Sequence, residues 1–188
     1  SGFCNYFKGM NQVKQKIFVE IGVCDFDTLE PLLKNGWKGY FVEPVKKYAD
    51  KLPQENTTNC CISSYDGKID FLVSDGTKEQ WMKGISHAVT QQGEKLLEKN
   101  SHLIEKKISV PCYTLHTFLS MNEITHIDFM KVDVEGHETD IFQAYNWSVL
   151  PTMIKLEHTH IDDIQMKKLL ENKGYIVYTE GQDIYAIR

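Results

Sequence analysis

Four short apolar runs in this chain each end in a carboxylate: Ile17-Phe18-Val19-Glu20, Tyr40-Phe41-Val42-Glu43, Met130-Lys131-Val132-Asp133 and Ile154-Lys155-Leu156-Glu157. A carboxylate can accept ribose hydroxyls, neutralise a cationic ligand, hold a metal ion or take a proton from an attacking hydroxyl. Runs of this kind, without clean alternation, suit strands buried on both faces, as in a parallel sheet covered by helices. Ligands bind such sheets outside the carboxyl ends of the strands, so four acids placed there outline one site.

Spacing separates the first two acids from the others. Glu43 stands 21 positions after Gly22, and an acid about 20 residues beyond a glycine-containing first turn is suited to hydrogen-bond a ribose. The competing reading is a strand exit, with Pro44 next and the acid in solvent. A dinucleotide site needs several glycines so that the backbone can approach a pyrophosphate, and here Gly22 is alone. Asp25 and Asp27 would repel a pyrophosphate, whereas a ligand with an amine or a sulfonium tolerates acids nearby. S-adenosylmethionine meets both conditions, with Glu20 toward its ammonium and the Gly22 backbone against the ligand. Asp25 and Asp27 have a plainer alternative as helix N-terminal caps.

The elements that must position these acids alternate along the chain. Strands are expected at 17–21 and 39–43, each followed by a helical stretch, near 28–35 with Thr28 at its start and near 45–52. A third strand fits 58–63, and Asp66-Gly67 reads as a hairpin turn into 68–73. Residues 75–109 break this rhythm and read as a cap insertion with at least one helix, since Leu96, Leu97, Leu103 and Ile104 fall at helical spacing. Trp81, Met82 and His87 are its candidate substrate contacts. A helix over 114–121, a strand over 127–134, a helix over 137–146, a strand over 153–159 and a helix over 161–172 follow. Residues 175–178 and 184–187 form a closing antiparallel hairpin. This order implies one α/β domain, a doubly wound and mostly parallel sheet with right-handed crossovers.

The segment Asp128-Phe129-Met130-Lys131-Val132-Asp133-Val134-Glu135-Gly136-His137-Glu138 is the densest in reactive groups. It closely resembles the signature of FkbM-type methyltransferases, a strand followed by Lys-hydrophobic-Asp-Val-Glu-Gly-x-Glu. The resemblance runs from about Phe18 to Tyr178 and takes in Val19-Glu20-Ile21-Gly22, Val42-Glu43-Pro44, Asp66-Gly67, Tyr113-Thr114-Leu115 and Gly174-Tyr175. It implies a class I, Rossmann-like methyltransferase fold that uses S-adenosylmethionine to methylate hydroxyls of sugars or secondary metabolites. The implied strand order lays the acids across the sheet as Glu43, Glu20, Asp133, Glu157, reversing between Glu20 and Asp133. Glu20, Gly22, Asp25, Thr28, Glu43 and Pro44 would then hold the cofactor, Ile62 and Ser63 would line the adenine, and Asp133 would sit at the crevice. Many members read Asp-x-Gly-Ala-Asn-x-Gly where this chain has Glu20 to Asp27. The lack of the motif's last glycine in the stretch that ends at Asp27 is the feature that favours the alternative of a non-catalytic cofactor-binding module.

Methyl transfer to a hydroxyl requires in-line alignment and removal of a proton. The candidates for that chemistry are Asp133, Glu135, His137, Glu157 and His158. In one arrangement Asp133, Glu157 and His158 hold a divalent cation that acidifies the substrate oxygen. In the other, His137 or His158 is a metal-free base oriented by a carboxylate. Lys131 and Lys155 each precede an acid by two residues on the same strand face and would brace the crevice electrostatically.

Composition narrows the partners. The formal net charge of −5 over 188 residues disfavours a nucleic-acid partner, because phosphate-backbone binders carry concentrated basic surface. No apolar stretch approaches the roughly 20 residues of a membrane span. Five cysteines, four of them in or beside apolar runs, read as reduced thiols in a cytoplasm-like compartment. The expected partner is a small hydroxylated molecule or a glycan, and the sequence leaves an oligomer open.

Overall fold

A computed structural model describes residues 14–24, 28–74, 87–88, 104–134 and 136–188. Its strands are β1 Ile17–Ile21, β2 Lys38–Val42, β3 Thr57–Thr58, β4 Cys61–Ile62, β5 Gly67–Ser74, β6 His87–Ala88, β7 Ile104–Tyr113, β8 Phe129–Val132, β9 Met153–Glu157, β10 Ile176–Glu180 and β11 Asp183–Ile187. The helices are α1 Lys46–Ala49, α2 Leu115–Met121, α3 Glu138–Ala144 and α4 Asp163–Asn172, with 3₁₀ turns at Glu30–Asn35 and Gln54–Asn56. Seven strands form one sheet in the order β10-β11-β9-β8-β1-β2-β3, and four form a second in the order β4-β7-β5-β6.

The larger sheet is the doubly wound, mostly parallel α/β sheet expected from the sequence. β1 pairs in parallel with both β2 and β8, β8 pairs in parallel with β9, and at the far edge β11 runs antiparallel to both of its neighbours, β9 and β10. The chain order reverses between β1 and β8, so the loops that leave these two strands diverge and open a crevice between them. The four acids therefore stand across the strand ends as Glu43, Glu20, Asp133 and Glu157.

Packing explains why the strands read as continuous apolar runs. One face of the sheet buries Val19, Ile21, Met130, Val132, Ile154 and Leu156 against Phe118, Ile141, Phe142, Met166 and Leu170 of α2, α3 and α4. The opposite face of β1 and β2 buries Phe18 and Phe41 beneath Leu32, Leu33 and Trp37. These two rings meet edge to face with centroids 5.3 Å apart, a favoured aromatic geometry. Gly39 lies beside Phe18 in the ladder, and a Cβ there would come within 2.2 Å of the Phe18 ring. The glycine thus provides the space that the ring fills.

The region after β2 departs from expectation. The strand expected over 58–63 is two short strands in different sheets, because the chain turns at Asn59. The Asn59 side chain donates to the carbonyls of Glu43 and Pro44. No hairpin joins β4 to β5, since β7 lies between them, parallel to β4 and antiparallel to β5. Asp66 is committed elsewhere, accepting from the Thr114 N–H at 2.7 Å and the Thr117 hydroxyl at 2.9 Å, where it secures the start of α2. Residues 104–109, expected within a helical insertion, belong to β7. Trp81 and Met82 lie outside the described residues, and His87 falls in β6. Among the described residues no helix is long and apolar enough to cross a membrane.

Filling the space beside Phe18 tests this packing. Gly39→Ala is expected to destabilise the fold by about 1–3 kcal/mol, the usual cost of overpacking. Urea denaturation should show a lower midpoint at unchanged slope, and an unaltered midpoint would contradict the seating of the ring.

Candidate active site

The acids of β1 and β2 are turned inward and held by the chain itself. Glu43 is 3% exposed. Its Oε2 accepts from the N–H groups of Val23 at 3.1 Å and Cys24 at 2.8 Å, and its Oε1 accepts from Val45 N–H at 2.7 Å. Burial nevertheless outweighs these donors and raises its carboxyl above the ordinary carboxylate range. Glu20 is fully buried. It accepts from the Thr28 hydroxyl at 2.7 Å, the Leu29 N–H at 2.9 Å and the Lys131 ammonium at 3.2 Å. Residues 20 and 131 are register partners across β1 and β8, so this ion pair closes the sheet at its reversal point.

Gly22 and Asp133 touch where β1 and β8 end. Gly22 has φ of +78°, and a Cβ on it would lie 1.8 Å from the Asp133 carbonyl oxygen. The Asp133 N–H donates to the Ile21 carbonyl at 2.9 Å, extending the β1–β8 ladder by one step. Both the handedness and the space thus require glycine at position 22. The Asp133 side chain faces a different environment from that of Glu20 or Glu43. Burial raises its carboxyl above the usual range, and so does the charge of Glu157; Asp183 adds to this, while Lys131 and Lys155 pull the other way. Asp183 stands opposite Glu157 in the β9–β11 ladder and is paired with the Lys155 ammonium at 3.0 Å.

The turn after β8 is built around Glu138, the first residue of α3. Glu138 is 1% exposed, with Oε1 accepting from Val134 N–H at 3.0 Å and Oε2 from Gly136 N–H at 2.9 Å. The carboxylate thus folds the signature turn back onto the helix start. Beside it, His137 Nε2 lies 3.2 Å from the Ser63 hydroxyl. His137 Nδ1 lies 3.0 Å from Asp140 Oδ2 but off the ring N–H direction, so Asp140 acts on it as a neighbouring charge.

The model of the FkbM methyltransferase domain matches residues 16–177, a span that holds Glu20, Glu43, Asp133 and Glu157 and the whole signature turn. The chain belongs to the FkbM methyltransferase family. No curated protein sequence matches it. Among solved structures it is similar to a precorrin-6y C5,15-methyltransferase from Geobacter metallireducens GS-15, with a TM-score of 0.38, 10% sequence identity, and coverage of 92% of this chain and 78% of that one. The family assignment rests on the sequence match and makes this chain a methyltransferase, a family that implies S-adenosylmethionine as the methyl source.

Within that family signature the structure brings some expected residues together and separates others. Asp133 and Glu157 are neighbours, as are Ser63 and His137. His158 is not part of the crevice: its Nε2 lies 3.2 Å from the Gly181 carbonyl in the β10–β11 turn. Among the described residues no group of three His, Cys, Asp or Glu side chains is placed to hold a metal ion, so the Asp133, Glu157 and His158 set does not assemble. The Ile62 side chain is packed in the main core. Pro44 takes part through its carbonyl, which accepts from Asn59. Asp25 and Glu135 lie outside the described residues.

Two contributors lacked an assigned role in the sequence reading. Glu138 was visible as an acid in the first turn of a helix, two residues after a glycine, which is a position that collects orphan N–H groups. Asp183 follows from pairing the closing hairpin back onto β9, which sets it opposite Glu157.

Glu138 yields a pH prediction. Its carboxyl is pushed from 4.5 up to about 7, chiefly by burial. Between those values the folded chain retains a proton that the unfolded chain has released, so stability falls as pH rises through that window. Glu138→Gln should remove this contribution and flatten the dependence of the urea midpoint on pH between about 4.5 and 7. An equally steep dependence in the variant would show that Glu138 is not its source.

Proposed function

We propose that this chain transfers the methyl group of S-adenosylmethionine to a hydroxyl of a small hydroxylated molecule or glycan. The observation that carries the proposal is the setting of Asp133, at the sheet reversal, with its carboxyl raised by burial and by Glu157. When bound, the cofactor supplies a sulfonium methyl group open to in-line attack. The residues present fit such a ligand. A sulfonium and an ammonium would relieve the repulsion among Asp133, Glu157 and Asp183. Among the described residues Glu43 Oε1 accepts one N–H, from Val45, and a carboxylate oxygen has two lone pairs, so it retains capacity for a ribose hydroxyl.

Asp133 is assigned the proton. Its carboxylate would accept a hydrogen bond from the acceptor hydroxyl and so aim the oxygen lone pair along the line of attack. As the new oxygen–carbon bond forms and the carbon–sulfur bond breaks, the hydroxyl proton passes to Asp133. A carboxyl whose affinity for a proton is already raised suits that task better than an ordinary surface acid. Glu157 maintains this affinity through its charge, and Lys131 and Lys155 limit how far it rises.

Composition supports the choice of partner and compartment. A net charge of −5 favours a small hydroxylated substrate over nucleic acid. The thiols of Cys60, Cys61 and Cys112 are buried, and burial pushes that of Cys60 up to about 12. Such undissociated thiols suit a reducing, cytoplasm-like setting.

Titration calorimetry is expected to show binding of S-adenosylmethionine and of its demethylated product, and the proposal fails if neither binds. Transfer of labelled methyl to a panel of sugars and hydroxylated metabolites should then identify acceptors. Asp133→Asn should cut turnover by about 10²- to 10⁴-fold with cofactor binding retained. Near-normal turnover in that variant would exclude Asp133 as the proton acceptor.

A further inference from the structure

Ser63 and His137 are 74 residues apart in sequence and meet across the two sheets. Ser63 follows β4, and its N–H donates to the Tyr113 carbonyl at 2.8 Å, so it extends the β4–β7 ladder of the four-stranded sheet. His137 immediately precedes α3 and ends the turn that leaves β8 in the seven-stranded sheet. Ser63 is fully buried and His137 is 7% exposed. A hydroxyl and an imidazole buried side by side must satisfy each other or bear the cost of desolvation.

The neighbours fix the sense of their bond. Asp140 Oδ2 stands 3.0 Å from His137 Nδ1, and a carboxylate on that side favours the tautomer with its proton on Nδ1. Nε2 is then an acceptor, and the Ser63 hydroxyl at 3.2 Å donates to it. Burial lowers the proton affinity of the ring, consistent with a neutral imidazole. Nδ1 is buried without a hydrogen-bond partner among the described residues and Nε2 receives Ser63, so the ring presents no nitrogen to a substrate hydroxyl.

We propose that His137 and Ser63 are positioning residues that pin the turn after β4 to the signature turn after β8, and so set the width of the cofactor crevice. The kinetic consequence rests on the methyltransferase reading above; the bond itself does not. The pin lies next to the N–H groups of Val134 and Gly136 that Glu138 gathers, so loosening it displaces the turn carrying Asp133 relative to the turn carrying Ser63. The expected signature is weakened cofactor use with chemistry preserved.

Two measurements on the full chain test this. With ¹⁵N-labelled histidine, long-range proton–nitrogen correlation should show His137 as the neutral Nδ1–H tautomer between about pH 6 and 8. Ser63→Ala should move its Nε2 resonance, and His137→Gln assigns the signal by its loss. An Nε2–H tautomer, or an Nε2 resonance that ignores Ser63→Ala, overturns the pin. In turnover assays Ser63→Ala should raise KM for S-adenosylmethionine about five- to tenfold, the worth of one hydrogen bond, with kcat within about twofold. Ser63→Thr and His137→Gln, which keep a hydroxyl and an acceptor, should recover most of the loss. A kcat loss of about 100-fold in His137→Gln, with the acidic limb of the pH profile abolished, would instead mark His137 as a proton-transfer catalyst. If the unmodified chain binds no cofactor, the methyltransferase reading fails, and the tautomer measurement still decides whether the pin exists.

Discussion

A carboxylate at the end of a buried parallel strand must find hydrogen-bond donors, and in this fold the donors are mostly the backbone N–H groups of the neighbouring turns. Glu43, at the end of β2, gathers Val23 and Cys24 from the turn after β1. Glu20, within β1, gathers Leu29 from the far side of that same turn and Lys131 from β8. Glu138 gathers Val134 and Gly136 from the turn after β8. Each acid therefore shapes a stretch of loop, its own or its neighbour's, and the loop in turn satisfies the acid. Removing any one of these carboxylates would leave buried N–H groups without partners as well as deleting a charge.

The same bonds account for the tight contact at the sheet reversal. With Glu20 bound to Lys131 and Glu43 bound to Val23 and Cys24, the chain leaving β1 is drawn toward β2 as soon as it passes Gly22. Asp133 remains in line with β8 through its N–H bond to Ile21. The two chains part at a point where only a glycine with positive φ fits. The crevice is thus a product of where the donors lie.

Much of this was legible from residue order. The runs ending in Glu20, Glu43, Asp133 and Glu157 are strands, their order across the sheet is the expected one, and the closing hairpin forms, because each of these features depends on local pattern and on short connections. β7 was not legible. Its apolar alternation at Ile108, Val110 and Cys112 is interrupted by Pro111, which demotes a run as a central strand, yet in the fold it separates β4 from β5. A strand whose partners lie 30 to 51 positions away is chosen by long-range pairing that no local rule reports. Asp66-Gly67 was misleading for a related reason: the turn chemistry is present, but the Asp66 carboxylate is spent on Thr114 and Thr117.

The division of labour among the acids could not be read from spacing either. Register places Glu20 beside Phe41 and Lys131, with Glu43 and Asp133 two residues further along their strands, so all three share one face of the sheet. Their environments then differ by what returns over them. Glu20 and Glu43 are covered by turns that supply N–H groups, and they become part of the scaffold. Asp133 meets Glu157 and Asp183, which supply like charge. Backbone donors favour the ionised form of a carboxylate, whereas neighbouring carboxylates favour the uptake of a proton or the arrival of a cation. The same four-acid pattern therefore yields structural anchors on one side of the reversal and, on the other, the carboxylate to which we assign the proton, and the path of the covering turns decides which is which.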